Sequence, residues 1–228
     1  MLNINKSSKY LAFSILIGGK STRFGSDKGL FQILEKPLIS YELETLGKIN
    51  YDIFLVANST NQVQNYIEKI DLKKITAFII DEQPLFKNKF VRAPIIGLYS
   101  VFKELKRLRY KKVLVTSCDI PLVKKKLVEY LIEQSEGYDC CIPQWNNGFL
   151  EPLLAIYPVE KALKTAKRNI INESYKLINL ISNKWRINFI SIEKSLKQFD
   201  ENLDSFTNIN ELKDIEKIKK IIQNSSSL

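Results

Sequence analysis

Short apolar runs alternate with amphipathic stretches along the first 134 residues, and this alternation limits the fold more than any other feature of the chain. The apolar runs have the length of strands, and apolar residues recur every three or four positions in the stretches between them. Parallel strands joined by helical crossovers produce that pattern. We therefore expect a three-layer α/β fold, in which an open, mostly parallel sheet of the Rossmann type carries helices on both faces. Strands are predicted at 11–17, 53–57, 75–80 and 112–116, and helices at 37–49, 62–70, 94–106 and 121–134.

The second half of the chain is less regular, and it contains no stretch that reads as a linker. Asn210 is suited to cap a final helix with a regular apolar face. We predict a flexible N-terminal extension over 1–10, a single domain over 11–222 and a polar tail over 223–228. The further strands are predicted at 138–142, 153–157 and 187–192, and the further helices at 159–167 and 173–181.

The composition excludes several kinds of chemistry. The chain contains no His, which rules out Ser-His-Asp and Cys-His catalysis and His-ligated zinc. Its three Cys suit a reducing compartment and form no disulfide framework. The net charge of +10 attracts anions, but a solvated basic surface is the simpler explanation, and no motif for specific nucleic-acid binding accompanies it.

Membrane attachment is also unexpected from the sequence. The apolar run at 10–17 breaks into a glycine pair without a signal-peptide cleavage site. No run approaches the roughly 20 apolar residues that span a bilayer. We therefore expect a cytoplasmic protein with no membrane partner.

The loop after the first predicted strand is rich in glycine and cations. Gly18 and Gly19 let backbone amides approach phosphate oxygens, while Arg23 and Lys28 add positive charge. The spacing differs from that of a Walker P-loop, because Ser14 stands where that motif needs its first glycine. The loop is therefore either a triphosphate cradle or a glycine-rich turn with surface cations.

Asp119 follows the apolar run at 112–116 and precedes Ile120 and Pro121. A carboxylate at the end of a buried strand is placed to coordinate Mg²⁺ on the phosphates of a nucleotide. It is equally placed to cap the helix predicted from 121. Because the carboxyl ends of parallel strands meet at one edge of a sheet, Asp119 and the glycine-rich loop should lie together.

Five motifs, taken in order, resemble those of molybdenum cofactor guanylyltransferases, and the chain is similar to MobA-type nucleotidyltransferases over about residues 11–222. The first motif is typical of the wider nucleotidyltransferase superfamily, and the other four favour the guanylyltransferase branch. The motifs are Leu-x-Gly-Gly-x-Ser-x-Arg-Phe-Gly-x-x-Lys-x-Leu at 16–30, Ala-Pro-Ile-Ile-Gly at 93–97, Cys-Asp-Ile-Pro at 118–121, Glu-Pro-Leu-Leu-Ala-Ile-Tyr at 151–157 and Phe-Thr-Asn-Ile-Asn at 206–210.

The resemblance implies a set of site residues on the nucleotide side. Arg23, Lys28 and Asp119 would be catalytic, with the two cations on the phosphates and Asp119 on both Mg²⁺ and the nucleotide. Guanine would be contacted from the ends of the second and third strands, at Asn58 and Asp81. The nucleotide-binding set is then Leu16, Ile17, Gly18, Gly19, Lys28, Asn58, Asp81 and Asp119.

The chain departs from the family pattern at four places. Ile17 replaces an Ala, Ala93 replaces a Gly, Glu151 stands where His is frequent, and the Asn-x-Asn at 208–210 lacks the usual Thr-Pro. None of these changes removes a phosphate or metal ligand. Glu151, together with Asn208 and Asn210, is expected on the acceptor side. The departures from the family pattern therefore concern the identity of the acceptor.

The resemblance implies transfer of GMP from Mg-GTP to the terminal phosphate of molybdopterin, with release of pyrophosphate. The second pKa of a phosphate monoester is about 6, so this nucleophile is ionised at neutral pH without a His base. A molybdoenzyme or a cofactor-carrier protein is a further expected partner. The alternatives are a molybdopterin cytidylyltransferase, a sugar-phosphate nucleotidyltransferase, and a non-catalytic protein that binds GTP or the cofactor.

Overall fold

The computed structural model describes residues 9–18, 27–82, 91, 93–209 and 211–225. Most of the predicted N-terminal extension lies outside these ranges, as do Gly19, Arg23 and Asn210. The division of the chain into an extension, one domain and a tail therefore stays a prediction.

A seven-stranded sheet forms the centre of the protein, with the strand order β5-β4-β1-β6-β8-β7-β9. Its register shows that β8 is the one antiparallel strand among those described, so the expectation of a mostly parallel sheet is confirmed. A short antiparallel hairpin, β2 with β3, stands apart from it. The strands are β1 Leu11–Leu16, β2 Gln32–Ile33, β3 Lys36–Pro37, β4 Asp52–Ala57, β5 Ala77–Ile80, β6 Lys112–Ser117, β7 Cys140–Gln144, β8 Ala155–Pro158 and β9 Ile187–Ser191.

Helices cover both faces of this sheet, which completes the three layers. One core contains the apolar faces of α1, α2 and α4, and the core on the opposite face contains those of α3 and α5. The last helix, α6, packs with Ile33 and Leu38 in a third, smaller cluster. The helices are α1 Leu38–Leu46, α2 Thr60–Lys69, α3 Pro94–Arg107, α4 Lys125–Gln134, α5 Val159–Ile171 and α6 Leu212–Ser225.

Two predicted helices differ from the structure. α4 begins at Lys125 and not at Pro121, because the preceding turn is held by a hydrogen bond from the Lys124 amide to Ser205 Oγ at 3.0 Å. The helix predicted over 173–181 is wrong: Glu173 has a positive φ of 57° that ends α5, and only a 3₁₀ turn at Leu177–Leu180 follows. The apolar spacing over 173–181 predicts a helix, but local turns form there instead.

No helix in the described ranges is both long enough and apolar enough to cross a bilayer.

Candidate active site

Four strands that run side by side end at the same edge of the sheet and carry the predicted nucleotide-side residues. Leu16 of β1 pairs with Val56 of β4 and with Ser117 of β6, and Ala57 of β4 pairs with Ile80 of β5. The residues that follow these strand ends therefore lie in a row. In sheet order they are Asp81, Asn58, Ile17 with Gly18, and Cys118 with Asp119.

The chain turns tightly where it leaves β1. The amides of Ile17 and Gly18 both donate to the Val56 carbonyl, at 3.0 and 3.1 Å. A Cβ on Gly18 would lie 3.3 Å from the Asn58 nitrogen, which is closer than a side chain ordinarily sits. Gly18 thus lets the start of the glycine-rich loop pass against the end of β4. Leu16 and Ile17 are buried behind it.

Asp81 extends β5 by one residue and lies against the first turns of α3. Its amide donates to the Ala57 carbonyl at 2.8 Å. Its Oδ1 would be 3.1 Å from a Cβ on Gly97, so Gly97 leaves the room that this carboxylate occupies. Burial raises the pKa of Asp81 from 3.8 to about 6. The group is therefore ionised but poorly solvated at neutral pH, which favours a ligand with N–H donors.

Lys28 and Asp119 form an ion pair at the centre of the edge. Lys28 Nζ lies 2.9 Å from Asp119 Oδ1 and 2.7 Å from the carbonyl of Ile209, to which it donates. The Ile209 amide in turn donates to the Asp119 carbonyl at 2.9 Å. Three segments distant in sequence are thus joined here. The pair is only partly exposed, at 14% for the lysine side chain and 34% for the aspartate.

The structure bears on one of the two interpretations of Asp119, that of a helix cap. α4 begins at Lys125 with Lys124 at its N-cap position, so Asp119 is too far from that helix to cap it. Its carboxylate instead meets a cation that comes from the glycine-rich loop. The helix-cap interpretation is therefore wrong, and the metal-binding interpretation stays a prediction.

Sequence reasoning missed the residue that fixes Lys28 in place. Asp27 accepts hydrogen bonds from the Gly29 amide at 3.1 Å, from Tyr66 Oη at 2.7 Å and from Gln62 Nε2. Tyr66 is fully buried, so the carboxylate is anchored to a rigid part of α2. The neighbouring Lys28 is held at the edge as a consequence. The only sequence signal was that Asp27 directly precedes a predicted phosphate ligand.

Gln62 forms hydrogen bonds to the three segments that contain Ile17, Asp27 and Asn58. Sequence reasoning did not identify this residue either. Its Nε2 donates to the Ile17 carbonyl at 3.0 Å as well as to Asp27, and its Oε1 accepts from the Asn58 amide at 2.8 Å. The Ser59 side chain caps α2 by accepting from the Gln62 amide, which positions this first helical turn. With its backbone held in this way, the Asn58 side chain stays exposed at the rim.

A cavity of about 190 Å³ lies on the other side of Asp119, where the acceptor side was expected. Glu151 and Asn208 line it together with Asp119, so the structure brings these three predicted residues to one place. Four segments build its walls: the end of β6, the stretch before β8, the 3₁₀ turn that begins at Leu177 and the turn before Ile209. The lining residues are Ser117, Asp119, Ile120, Glu151, Pro152, Leu153, Leu154, Leu177, Ser205, Phe206 and Asn208.

Trp145 belongs to the 144–148 loop, which the sequence places on the acceptor side together with Glu151, and it holds the Glu151 side chain. Trp145 Nε1 donates to Glu151 Oε1 at 2.6 Å, and the indole packs against the Phe206 ring with a centroid separation of 5.5 Å. Burial raises the pKa of Glu151, and the hydrogen bond from Trp145 partly offsets this rise. The carboxyl is therefore fixed at the cavity wall.

The edge can hold a divalent cation that arrives with a nucleotide. Mg²⁺ is usually bound by one or two carboxylates together with substrate phosphates and waters. Asp119 supplies such a carboxylate, and its Oδ2 accepts no hydrogen bond from the described residues. The same residues contain no cluster of three or more His, Cys, Asp or Glu side chains. The donor set thus fits a Mg²⁺ that arrives with substrate phosphates.

A mostly parallel sheet whose first strand ends in a glycine-rich loop, with a carboxylate after the neighbouring strand, is the arrangement of an α/β nucleotide-binding protein. Comparison with known families agrees with this. Residues 13–180 match the family described as the MobA-like NTP transferase domain, and the chain belongs to that family.

Relatives with curated names match nearly the whole chain. A probable molybdenum cofactor guanylyltransferase of Pyrococcus horikoshii is 35% identical over 209 residues, which cover 90% of this chain and 97% of the relative. A protein with the same description from Thermococcus sibiricus is 30% identical over 92% of this chain and 97% of its own length.

Solved structures share the fold. The crystal structure of molybdopterin-guanine dinucleotide biosynthesis protein A from Archaeoglobus fulgidus superposes with a TM-score of 0.71 and 27% identity, covering 93% of this chain and 99% of that one. A 4-diphosphocytidyl-2C-methyl-D-erythritol synthase from Anaerococcus prevotii superposes with a TM-score of 0.65 over 95% of this chain and 97% of that one, at 11% identity, and so shares the fold alone.

Proposed function

We propose that this protein transfers GMP from Mg-GTP to the terminal phosphate of molybdopterin and releases pyrophosphate. One observation carries the proposal: the Lys28–Asp119 pair lies between a row of strand ends suited to a nucleotide and a cavity suited to an acceptor. The names of the relatives, which match at 30 to 35% identity over nearly their full length, support the same activity.

The reaction joins an acceptor phosphate oxygen to the α-phosphorus of GTP and breaks the bond between the α-phosphorus and the oxygen that leaves with pyrophosphate. The attacking phosphate is largely ionised at neutral pH, since its second pKa is about 6. No protein base is then required, which agrees with a chain that has no His. The protein has to align the two substrates and compensate negative charge.

Different charged residues at this edge of the sheet bind the triphosphate and Mg²⁺. Lys28 brings a cation to the triphosphate, and Asp27 holds its backbone through the Tyr66 and Gln62 contacts. Asp119 is the group that would hold Mg²⁺, which supplies charge neutralisation on the phosphates when bound. We place Arg23 and Gly19 on the phosphates as well, on the strength of the motif alone, because they lie outside the described residues.

Base selection is assigned to the strand ends furthest from the cavity. Guanine presents two N–H donors, at N1 and N2, and a carboxylate is a suitable acceptor for both. The partly desolvated Asp81 is such a carboxylate, and Asn58 on the neighbouring strand adds an amide. The proposed cofactor is Mg²⁺, the proposed location is the cytoplasm, and a molybdoenzyme or cofactor carrier is proposed to receive the product.

A nucleotide panel tests this function. Purified protein with Mg²⁺ and molybdopterin should release pyrophosphate from GTP and far less from CTP, UTP or ATP, with molybdopterin guanine dinucleotide as the product. A preference for CTP would identify a cytidylyltransferase in its place. Nucleotide binding without pyrophosphate release from any of the four would indicate a non-catalytic carrier.

A further inference from the structure

The cavity beside Asp119 contains one carboxylate whose role the transfer chemistry does not require. Glu151 lies on the far side of Asp119 from the proposed guanine site, and no step of phosphate attack calls for a second acid there. A partly buried carboxylate without a function would be costly to keep, because burial disfavours its charged form. Its surroundings indicate what it binds.

The Glu151 side chain is held in place and still able to accept hydrogen bonds. A carboxylate offers about four lone-pair positions. Trp145 Nε1 occupies one of them at Oε1, and Oε2 receives no hydrogen bond from any described residue. The backbone is also fixed, since the Glu151 amide donates to the Pro143 carbonyl at 3.0 Å. A rigid acceptor with open positions suits a ligand that brings N–H donors.

The walls of the cavity suit a flat ring. Pro152, Leu153, Leu177 and Phe206 supply apolar surface, and Phe206 is itself braced by the Trp145 indole. A volume of about 190 Å³ is smaller than the roughly 300–1,000 Å³ of pockets that enclose drug-sized ligands, so it suits one ring system and not a whole dinucleotide. Apolar faces with a few polar groups at the rim are usual for the recognition of a heteroaromatic ring. Glu151 shares the polar part of this lining with Ser117, Asp119, Ser205 and Asn208.

We propose that this cavity binds the pterin ring of the acceptor, and that the Glu151 carboxylate accepts hydrogen bonds from the 2-amino group and the adjacent ring N–H. The inference rests on the proposed function for the identity of the acceptor. Pterin and guanine carry the same 2-amino-4-oxopyrimidine edge, so one protein would read that edge twice, with Asp81 on one flank of Asp119 and Glu151 on the other.

The test measures binding of free pterin, a fluorescent compound, and of lumazine, its analogue with an oxygen in place of the 2-amino group. Wild-type protein should bind pterin roughly tenfold or more tightly than lumazine, since a hydrogen bond to a charged acceptor is lost. Glu151→Gln should abolish that preference, while its side-chain oxygen can still accept from Trp145.

Two further variants serve as controls. Glu193 accepts from the Asn146 amide in the same loop but does not line the cavity, so Glu193→Gln should bind pterin as the wild type does. Asp81→Asn should weaken GMP binding and leave pterin binding unchanged, and saturating GMP should not displace pterin from the wild type. Thermal unfolding of each variant establishes that it is folded.

The inference is overturned if folded Glu151→Gln keeps the wild-type preference for pterin over lumazine, or if GMP displaces pterin. The proposed function fails separately: absence of GMP transfer to molybdopterin, together with Glu151-dependent pterin binding, would reject the activity and keep the pterin site. GMP transfer that proceeds with unchanged kcat and KM for molybdopterin in Glu151→Gln would reject the pterin site and keep the activity.

Discussion

The two flanks of Asp119 are built in different ways. On the nucleotide flank, neighbouring parallel strands end in register, and main-chain hydrogen bonds such as Asp81 amide to Ala57 carbonyl hold the site residues. On the cavity flank, the walls come from loops, and side chains do the holding, as Trp145 does for Glu151. The sheet positions most of the nucleotide flank, where the Gln62 and Asp27 side chains add further contacts, whereas the cavity flank depends more on the packing of loops.

This difference indicates which substitutions each flank tolerates. A main-chain contact survives any side-chain change that fits the space, whereas a side-chain contact is lost with its residue. On the nucleotide flank, we therefore expect substitutions that add a side chain to a tightly packed position to lower stability and activity. The cavity flank should change specificity when a single side chain is replaced, as proposed for Glu151.

The largest effect on stability is expected from Gly29→Ala. The new Cβ would lie 2.1 Å from Tyr66 Oη, and the buried tyrosine cannot turn away. We expect the free energy of unfolding to fall by about 1–3 kcal/mol, as for other overpacked cores. Transfer should slow as well, because the adjacent Lys28 is displaced from Asp119. Denaturant unfolding and pyrophosphate release measure the two effects.

Tyr66→Phe is the matched control for that clash. Alone it removes a hydrogen bond to Asp27, at a cost of about 1 kcal/mol. Combined with Gly29→Ala it also removes the atom that clashes, so the double variant should be more stable than the sum of the single effects predicts. Strict additivity would show that the new Cβ at position 29 does not clash with Tyr66 Oη.

A smaller, pH-dependent effect is expected at Asp81. Its folded-state pKa of about 6 exceeds the unfolded value of 3.8, so the folded protein binds this proton more tightly between those values. Stability should accordingly fall as the pH rises from about 4 to about 6, and this penalty should persist above pH 6. Asp81→Asn should remove the dependence and stabilise the free protein at neutral pH.

GMP affinity should show the opposite trend, because the base edge needs the ionised carboxylate. In Asp81→Asn the affinity should be weaker by about 1–3 kcal/mol at neutral pH, and only the GMP phosphate, whose second pKa is about 6, should still titrate. In the wild type the affinity should therefore fall more steeply than in the variant as the pH drops below about 6. Calorimetric titration across this range measures both. Equal pH profiles for the two proteins would remove Asp81 from guanine recognition.

The same contrast between the flanks explains how much the sequence could reveal. Runs such as 11–17 and 112–116 are local signals, and parallel pairing then brings their ends to one edge without further information. Asp119 could be located in this way, although the helix-cap interpretation could be excluded only once α4 was seen to begin at Lys125.

Contacts between distant side chains could not be predicted. Asp27 meets Gln62 and Tyr66 across 35 and 39 residues, and nothing in the local pattern links them. Trp145 is close to Glu151 in sequence, but its role depends on the Phe206 ring that arrives from the C-terminal part of the chain. Such contacts depend on how the folded chain packs, and no periodic pattern in the sequence indicates them.

The central claim is that Asp119 joins the two flanks as the metal- and phosphate-binding carboxylate. Asp119→Asn nearly preserves shape and can still accept from Lys28, so the fold should be unaffected and the thermal midpoint close to that of the wild type. Mg²⁺-dependent pyrophosphate release from GTP should fall by about a hundredfold or more, since several kcal/mol of charge stabilisation is lost. Wild-type turnover of the folded variant at limiting Mg²⁺ would contradict the account.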